Sequence, residues 1–226
     1  QDLPGFSPFC LLSMNDDAQQ HLGAARLEAA RIARNVRRLV ADGAPPGSVG
    51  RPGTADVPQD HAQAALVLAQ GLCPVNVRSE VSKGLCPGTV RPEVSKGRIR
   101  IGFVSADFRT HATSMLLVRT LERLDRERFE VLLYSHGPDD ASALRARMVA
   151  AADRFVDCTE MNATEQAQAI RDDGVTILVD MSGYTASTRL SVFALRPAPV
   201  QVLWLAYPST IGSDFIDYIV GDPILT

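Results

Sequence analysis

Cysteine and histidine are scarce in this sequence, four of each in 226 residues. Cys10, Cys73, Cys86 and Cys158 form no C-x-x-C pair and have no histidines at zinc-ligand spacing, so zinc fingers and dithiol redox sites find no support; reduced thiols are expected. No run of Lys or Arg exceeds a pair, and the formal charge is −3, which leaves no electrostatic footprint for nucleic acid or an anionic membrane. No apolar run approaches the roughly 18 residues that would span a bilayer. The amino-terminal "QDLPGFSPFC" lacks the basic and apolar regions of a signal peptide, so a soluble, cytoplasmic chain is expected. Also missing are G-x-G-x-x-G after the first apolar strand, G-x-x-x-x-G-K-[ST] and G-x-S-x-G. Dinucleotide-dependent dehydrogenases, P-loop ATPases and elbow-type hydrolases therefore lose their usual signatures. The chain starts on Gln1 and ends on "GDPILT", which reads as a strand and turn leading into more protein, so a fragment is expected.

What is present begins with an apolar content of 46%, ample for a buried core. Residues 16–41 place Leu22, Ala25, Ala29, Ile32, Val36, Leu39 and Val40 at three- and four-residue steps, which predicts a helix that Asp16 or Asp17 could cap. Residues 43–60 are too rich in Gly and Pro for a regular element and read as a linker, followed by a short alanine-rich helix in "HAQAALVLAQ". Then "GLCPVNVRSEVSK" (71–83) is followed at once by "GLCPGTVRPEVSK" (84–96), identical at ten of thirteen positions. Two short copies cannot build a solenoid. A duplicated surface insertion is expected, with a two-stranded ribbon or a partner-binding segment as the alternatives. Three regions follow: a helical segment over 1–42, a linker region over 43–97 and an α/β domain over 98–226.

Within the last region, apolar β-branched runs alternate with helically spaced segments. Strands are predicted in "RIRIGFVS", "FEVLLYS", "RFVDC", "VTILVDMS", "VQVLWLA" and "DYIVGD". Helices are predicted in "SMLLVRTLERL", "DASALRARMVAAA", "ATEQAQAIRDD" and "RLSVFAL". Strands that read as continuous apolar runs between helices imply a Rossmann-like parallel sheet with helices on both faces. Ligands of such sheets sit beyond the carboxyl ends of the strands. That rule singles out "SADFRTHATS", "SHGPDD", "DMSGYTAST" and "AYPSTIGSD", which carry the hydroxyls, glycines and carboxylates suited to an oxygen-rich ligand.

His111 falls where the first helix of the sheet begins, so a positive helix end would favour a neutral imidazole able to accept a proton or hydrogen-bond a hydroxyl. A solvent-facing helix-start residue is the plainer alternative. His136, Asp139 and Asp140 most simply form a turn and helix cap. In "DMSGYTAST" a glycine follows a strand directly, with Tyr184 and Thr185 placed to offer hydroxyls and amides to an anion. His21 and His61 receive no role.

In that order, "RIRIGFVSADFRTHATSMLL", "FEVLLYSHGPDD", "ILVDMSGYT", "FALRPAPVQVLWLAYPSTIG" and "DYIVGD" resemble the amino-terminal half of the catalytic region of the O-GlcNAc transferase family, including its bacterial members and the related SPINDLY-type protein O-fucosyltransferases. The match covers about residues 98–222, and "PFCLLSMNDDAQQHLGAAR" resembles the segment joining that family's tetratricopeptide repeats to its catalytic region. The resemblance implies a GT-B glycosyltransferase of two Rossmann-like halves. It also implies inverting, metal-independent transfer of N-acetylglucosamine from UDP-GlcNAc to Ser or Thr of acceptor proteins, with no cofactor. The active-site histidine of the family's D-F-x-x-H-x-x-[ST] stretch falls on His111. The same resemblance makes Thr113, Ser114, Asp180, Ser182, Tyr184, Thr185, Tyr207, Pro208 and Thr210 candidates for substrate binding. Where the family commonly reads Y-P-G-T-[ST]-G, this chain reads "YPSTIG". A positive φ at that glycine would strain Ser209, and Ile211 removes a hydroxyl. The second Rossmann half expected of the family has no position here, so the chain alone is expected to turn over no sugar. A degenerate half domain that binds proteins is the alternative.

Overall fold

The computed structural model describes residues 18–41 and 97–221. The linker, the alanine-rich helix, the duplicated unit, Asp16, Asp17, Cys10, Cys73 and Cys86 lie outside the described residues. Helix α1 spans Ala18–Ala41. Its buried positions Ala25, Ala29, Ile32 and Val36 recur at helical steps, so one stripe faces the core while Arg26, Arg31, Arg34, Arg37 and Arg38 stay exposed.

The α/β region runs β1 (Ile99–Ser105), α2 (Ala112–Arg123), β2 (Phe129–Ser135), α3 (Ala143–Ala150), β3 (Arg154–Asp157), α4 (Ala163–Asp172), β4 (Ile177–Asp180), α5 (Leu190–Ala194), β5 (Val200–Trp204) and β6 (Tyr218–Val220). Each strand and helix falls within three residues of where apolar runs and helical spacing place it, and the Rossmann-like architecture follows. The six strands pair in the order β3-β2-β1-β4-β5-β6, all parallel.

Alternate strand residues feed two separate cores, as the two-residue period of a strand requires. On one face Ile101, Phe103, Val131, Leu133, Ile177, Val179 and Val202 meet Leu117, Val118 and Leu121 of α2 and Met148 of α3. On the other, Val104, Leu132, Tyr134, Leu178 and Leu203 meet α1, Ala167 and Ile170 of α4, and Val192 and Phe193 of α5. Burial on both sides is why the strands carry no polar alternation. Cys158 is a free thiol inside the second core, its pKa pushed up to about 12 chiefly by burial.

Two local expectations are corrected. Asp139 and Asp140 do not cap α3; Ser142 does, its hydroxyl accepting from Arg145 N–H at 3.1 Å, because the aspartates accept from Ala141 and Ser142 amides in the preceding turn. The strain anticipated at Ser209 does not arise. Positive φ falls instead on Leu205 (88°) and Gly212 (66°), where the chain leaves β5 and where the loop meets α1.

Candidate functional site at the carboxyl rim

Strand β1 pairs with β2 on one side and with β4 on the other. The chain order reverses between β1 and β4, so their carboxyl ends flank the crevice where doubly wound sheets bind ligands. The loop after β1 carries Asp107 to His111, and the loop after β4 carries Met181 to Arg189.

His111 is the N-cap of α2, extended at φ −153° and ψ 152°. Its Nδ1 accepts from the Thr113 backbone N–H at 3.3 Å and lies 3.2 Å from Thr113 Oγ1. Asp107 Oδ2 is 3.5 Å from the same nitrogen, and the His111 side chain is 40% exposed. Thr113 and Ser114 are buried; Ser114 donates its hydroxyl to the Asp107 carbonyl, which holds the loop against the first turn of the helix. Both hydroxyls are thus engaged in positioning His111 and Asp107.

The loop after β2 braces this arrangement. His136 N–H donates to Ser105 O at 3.1 Å, and a Cβ on Gly137 would lie 1.9 Å from Ala106 O, so only glycine lets the two loops approach. Asp140 accepts from Thr110 N–H at 2.7 Å, a bond that holds its carboxyl well below the usual carboxylate range. Buried Arg145 donates to Phe108 O at 3.0 Å, pairs with Asp139 at 2.9 Å and lies over the Phe155 ring. The His136 Nε2 sits 2.9 Å from Ser187 O in the β4–α5 loop, and burial, ahead of every other influence, lowers its pKa.

After β4, Asp180 turns back on its own loop and accepts from Ser182 N–H at 2.9 Å and Gly183 N–H at 3.0 Å. Burial raises its pKa to about 6 against the opposing pull of those amides. Ser182 Oγ is buried without a hydrogen-bond partner among the described residues. Gly183 adopts φ 52°, and a Cβ there would lie 2.4 Å from the Tyr207 ring. Thr185 is half-buried and its N–H donates to Ser182 O at 3.1 Å.

Tyr184 and Tyr207 point inward. Their rings meet edge to face at 5.7 Å, and the Tyr184 hydroxyl sits 3.0 Å from Ala25 O of α1 and 2.8 Å from Ile211 O. Tyr184 therefore ties α1 to both rim loops, and Ile211, in place of a hydroxyl residue, is buried in the same core. Pro208 is exposed, whereas Thr210 Oγ1 accepts from Gly212 N–H at 3.0 Å. The structure thus gathers the candidate residues on one rim, with His111 exposed there and Tyr184, Tyr207, Ser114 and Asp180 beneath it. The bracing by His136, Gly137 and Arg145 escaped the sequence; the only signal was a His-Gly pair directly after a strand.

The model of glycosyl transferase family 41 matches residues 82–226. The chain belongs to glycosyl transferase family 41. The matched region includes the second copy of the 13-residue unit, while most of the first copy precedes it. Among relatives in this family, the chain is 43% identical over 128 residues to the UDP-N-acetylglucosamine--peptide N-acetylglucosaminyltransferase of Caenorhabditis elegans, covering 56% of this chain and 11% of that protein. It is 36% identical over 129 residues to the probable enzyme of that name, SEC, of Arabidopsis thaliana, covering 57% and 13%. A solved mutant O-GlcNAc transferase of Thermobaculum terrenum superposes with a TM-score of 0.56 at 30% identity, over 91% of this chain and 37% of that one. The chain therefore spans a small part of the length of the family 41 proteins it matches. No helix among the described residues is long and apolar enough to cross a membrane.

Proposed function

We propose that this chain supplies the amino-terminal half of the catalytic region of a cytoplasmic protein O-glycosyltransferase. In this reading the enzyme moves N-acetylglucosamine from UDP-GlcNAc to a Ser or Thr hydroxyl of an acceptor protein, with inversion and without a metal. The acceptor oxygen bonds to the anomeric carbon, the bond from that carbon to the diphosphate breaks, UDP leaves and the hydroxyl gives up its proton. A second Rossmann-like half completes the cleft, and the chain alone turns over no sugar.

The observation that carries the reading is His111 at the start of α2. Ser142 and Asn162 cap α3 and α4, the residue types that helix starts favour. At the start of α2, after β1, the cap is a histidine instead, partly exposed and braced by Asp107, Thr113 and Ser114, while α5, after β4, starts on Arg189 with no side-chain cap bond. Capping strength alone does not select imidazole there; a ligand-facing group does. The names of the matched relatives, peptide N-acetylglucosaminyltransferases acting from UDP-N-acetylglucosamine, supply the substrate class.

The test is transfer of labelled N-acetylglucosamine from UDP-GlcNAc to a protein acceptor by the protein as encoded, through its natural carboxyl terminus. His111→Ala should lower the rate by roughly 10²–10⁴-fold, the usual worth of a positioned acid–base or hydrogen-bonding group. No transfer by the intact protein, with GDP-sugar donors also tried, would overturn the reading in favour of a protein-binding half domain.

A further inference from the structure

The hydrogen bonds around His111 specify which ring nitrogen holds the proton, and this inference rests on the function proposed above only for the identity of the ligand. Nδ1 faces three groups: the Thr113 backbone N–H at 3.3 Å, Thr113 Oγ1 at 3.2 Å and Asp107 Oδ2 at 3.5 Å. The N–H can only donate, so it needs a bare Nδ1; the hydroxyl can turn to donate as well. Asp107 asks for the opposite, a protonated Nδ1, but from beyond good hydrogen-bond distance, and its other oxygen lies 3.7 Å from the Arg109 guanidinium. A proton on Nδ1 would also set donor against donor at the buried Thr113 amide, at a helix start where no backbone carbonyl can take that amide's hydrogen.

We propose that neutral His111 carries its proton on Nε2, with Nδ1 spent on capping α2, so that the ring presents a hydrogen-bond donor rather than a proton acceptor to an electron-rich oxygen of the nucleotide sugar. His111 then binds and polarises, and the acceptor hydroxyl's proton goes to a base other than this imidazole.

Nitrogen NMR of this chain labelled in its four histidines, recorded above the titration range of imidazole, reads the tautomer directly. The His111 signals are assigned by their loss in His111→Asn. A bare Nδ1 with a protonated Nε2 is expected, and a majority of the Nδ1–H form overturns the proposal. Thermal unfolding gives a second reading. Asn is a strong cap, so His111→Asn should unfold within a degree or two of the wild type while His111→Ala falls by roughly 4–8 °C, the shift expected for about 1 kcal/mol in a small domain and somewhat less in a larger one. An Asn variant as unstable as the Ala variant rules out the capping bond. In the transfer assay His111→Gln, whose amide nitrogen can donate near the Nε2 position, should exceed His111→Ala by about tenfold or more, on the scale of one hydrogen bond; equal rates for the two overturn the donor role. Failure of wild-type transfer would count against the proposed function and leave the NMR result to decide the tautomer.

Discussion

The two ends of the sheet are built from different chemistry. At the amino end, arginines and carboxylates saturate one another: Arg98 and Arg126 hold Asp153 at 2.9 and 2.6 Å, Arg100 meets Glu130 at 3.1 Å, and Arg154 meets Asp173 at 2.6 Å. At the carboxyl end the bracing is backbone amides, a buried guanidinium and glycine contacts. Three polar atoms there, Arg109 Nε, His136 Nδ1 and Ser182 Oγ, are buried with no hydrogen-bond partner among the described residues. Buried polar groups without partners cost stability, so a protein keeps them where something other than stability is selected. Ion pairs finish most of the amino end, where Gln201 Oε1 in β5 is also buried without a partner among the described residues, and the carboxyl end carries more such atoms.

The sharpest way to break this contrast is at the closest contact of the carboxyl end. Gly137→Ala puts a Cβ into the Ala106 carbonyl, and because both partners are backbone neither can yield. A loss of about 3 kcal/mol or more is expected, read as a lowered midpoint in urea. An unchanged midpoint would mean the loops are not in contact.

The pH response should also differ in sign between the ends. Asp180 is raised in the fold to about 6, so its contribution is full below the ordinary carboxylate value near 4 and is lost as pH rises through about 6. For Asp153 burial pulls upward, but the Val131 amide and then Arg98 and Arg126 outweigh it and the net shift is downward. Its contribution is present above pH about 4 and lost as pH falls through the lowered value. Stability curves of Asp180→Asn should therefore lack a change on the order of 2–3 kcal/mol between pH 4 and 6. Those of Asp153→Asn should differ from the wild type in losing the decline at more acid pH.

The smallest effect concerns α1. Tyr184→Phe removes the donor shared by Ala25 O and Ile211 O and should cost about 1 kcal/mol. Faster hydrogen exchange along α1 than in β1 checks that the loss is local.

The strands and helices were legible because each carries a complete local signal, an apolar run or a 3.6-residue period. His111 was legible as a helix start, since a polar residue stands ahead of "SMLLVRTLERL". The direction of Tyr184 was not, because its partners lie 159 and 27 residues away and the motif alone suggests a cleft-facing hydroxyl. Ser209 misled for a related reason. A glycine in relatives marks a permissive position, but here the backbone turn is carried by Leu205 and Gly212. The link from His136 to Ser187 spans 51 residues and has no sequence pattern at all.

The strand order has a consequence for how the chain reaches this state. β1, β2 and β3 pair with partners nearby in sequence, but Ile101 must wait for Ile177 before its second edge is covered. Closing so long a loop is entropically expensive, and until it closes β1 exposes an unpaired apolar edge. The crevice that holds His111 is therefore a late product of folding. During synthesis the chain must leave that edge open until α4 and β4 have emerged, which makes this interval its time of greatest risk of aggregation.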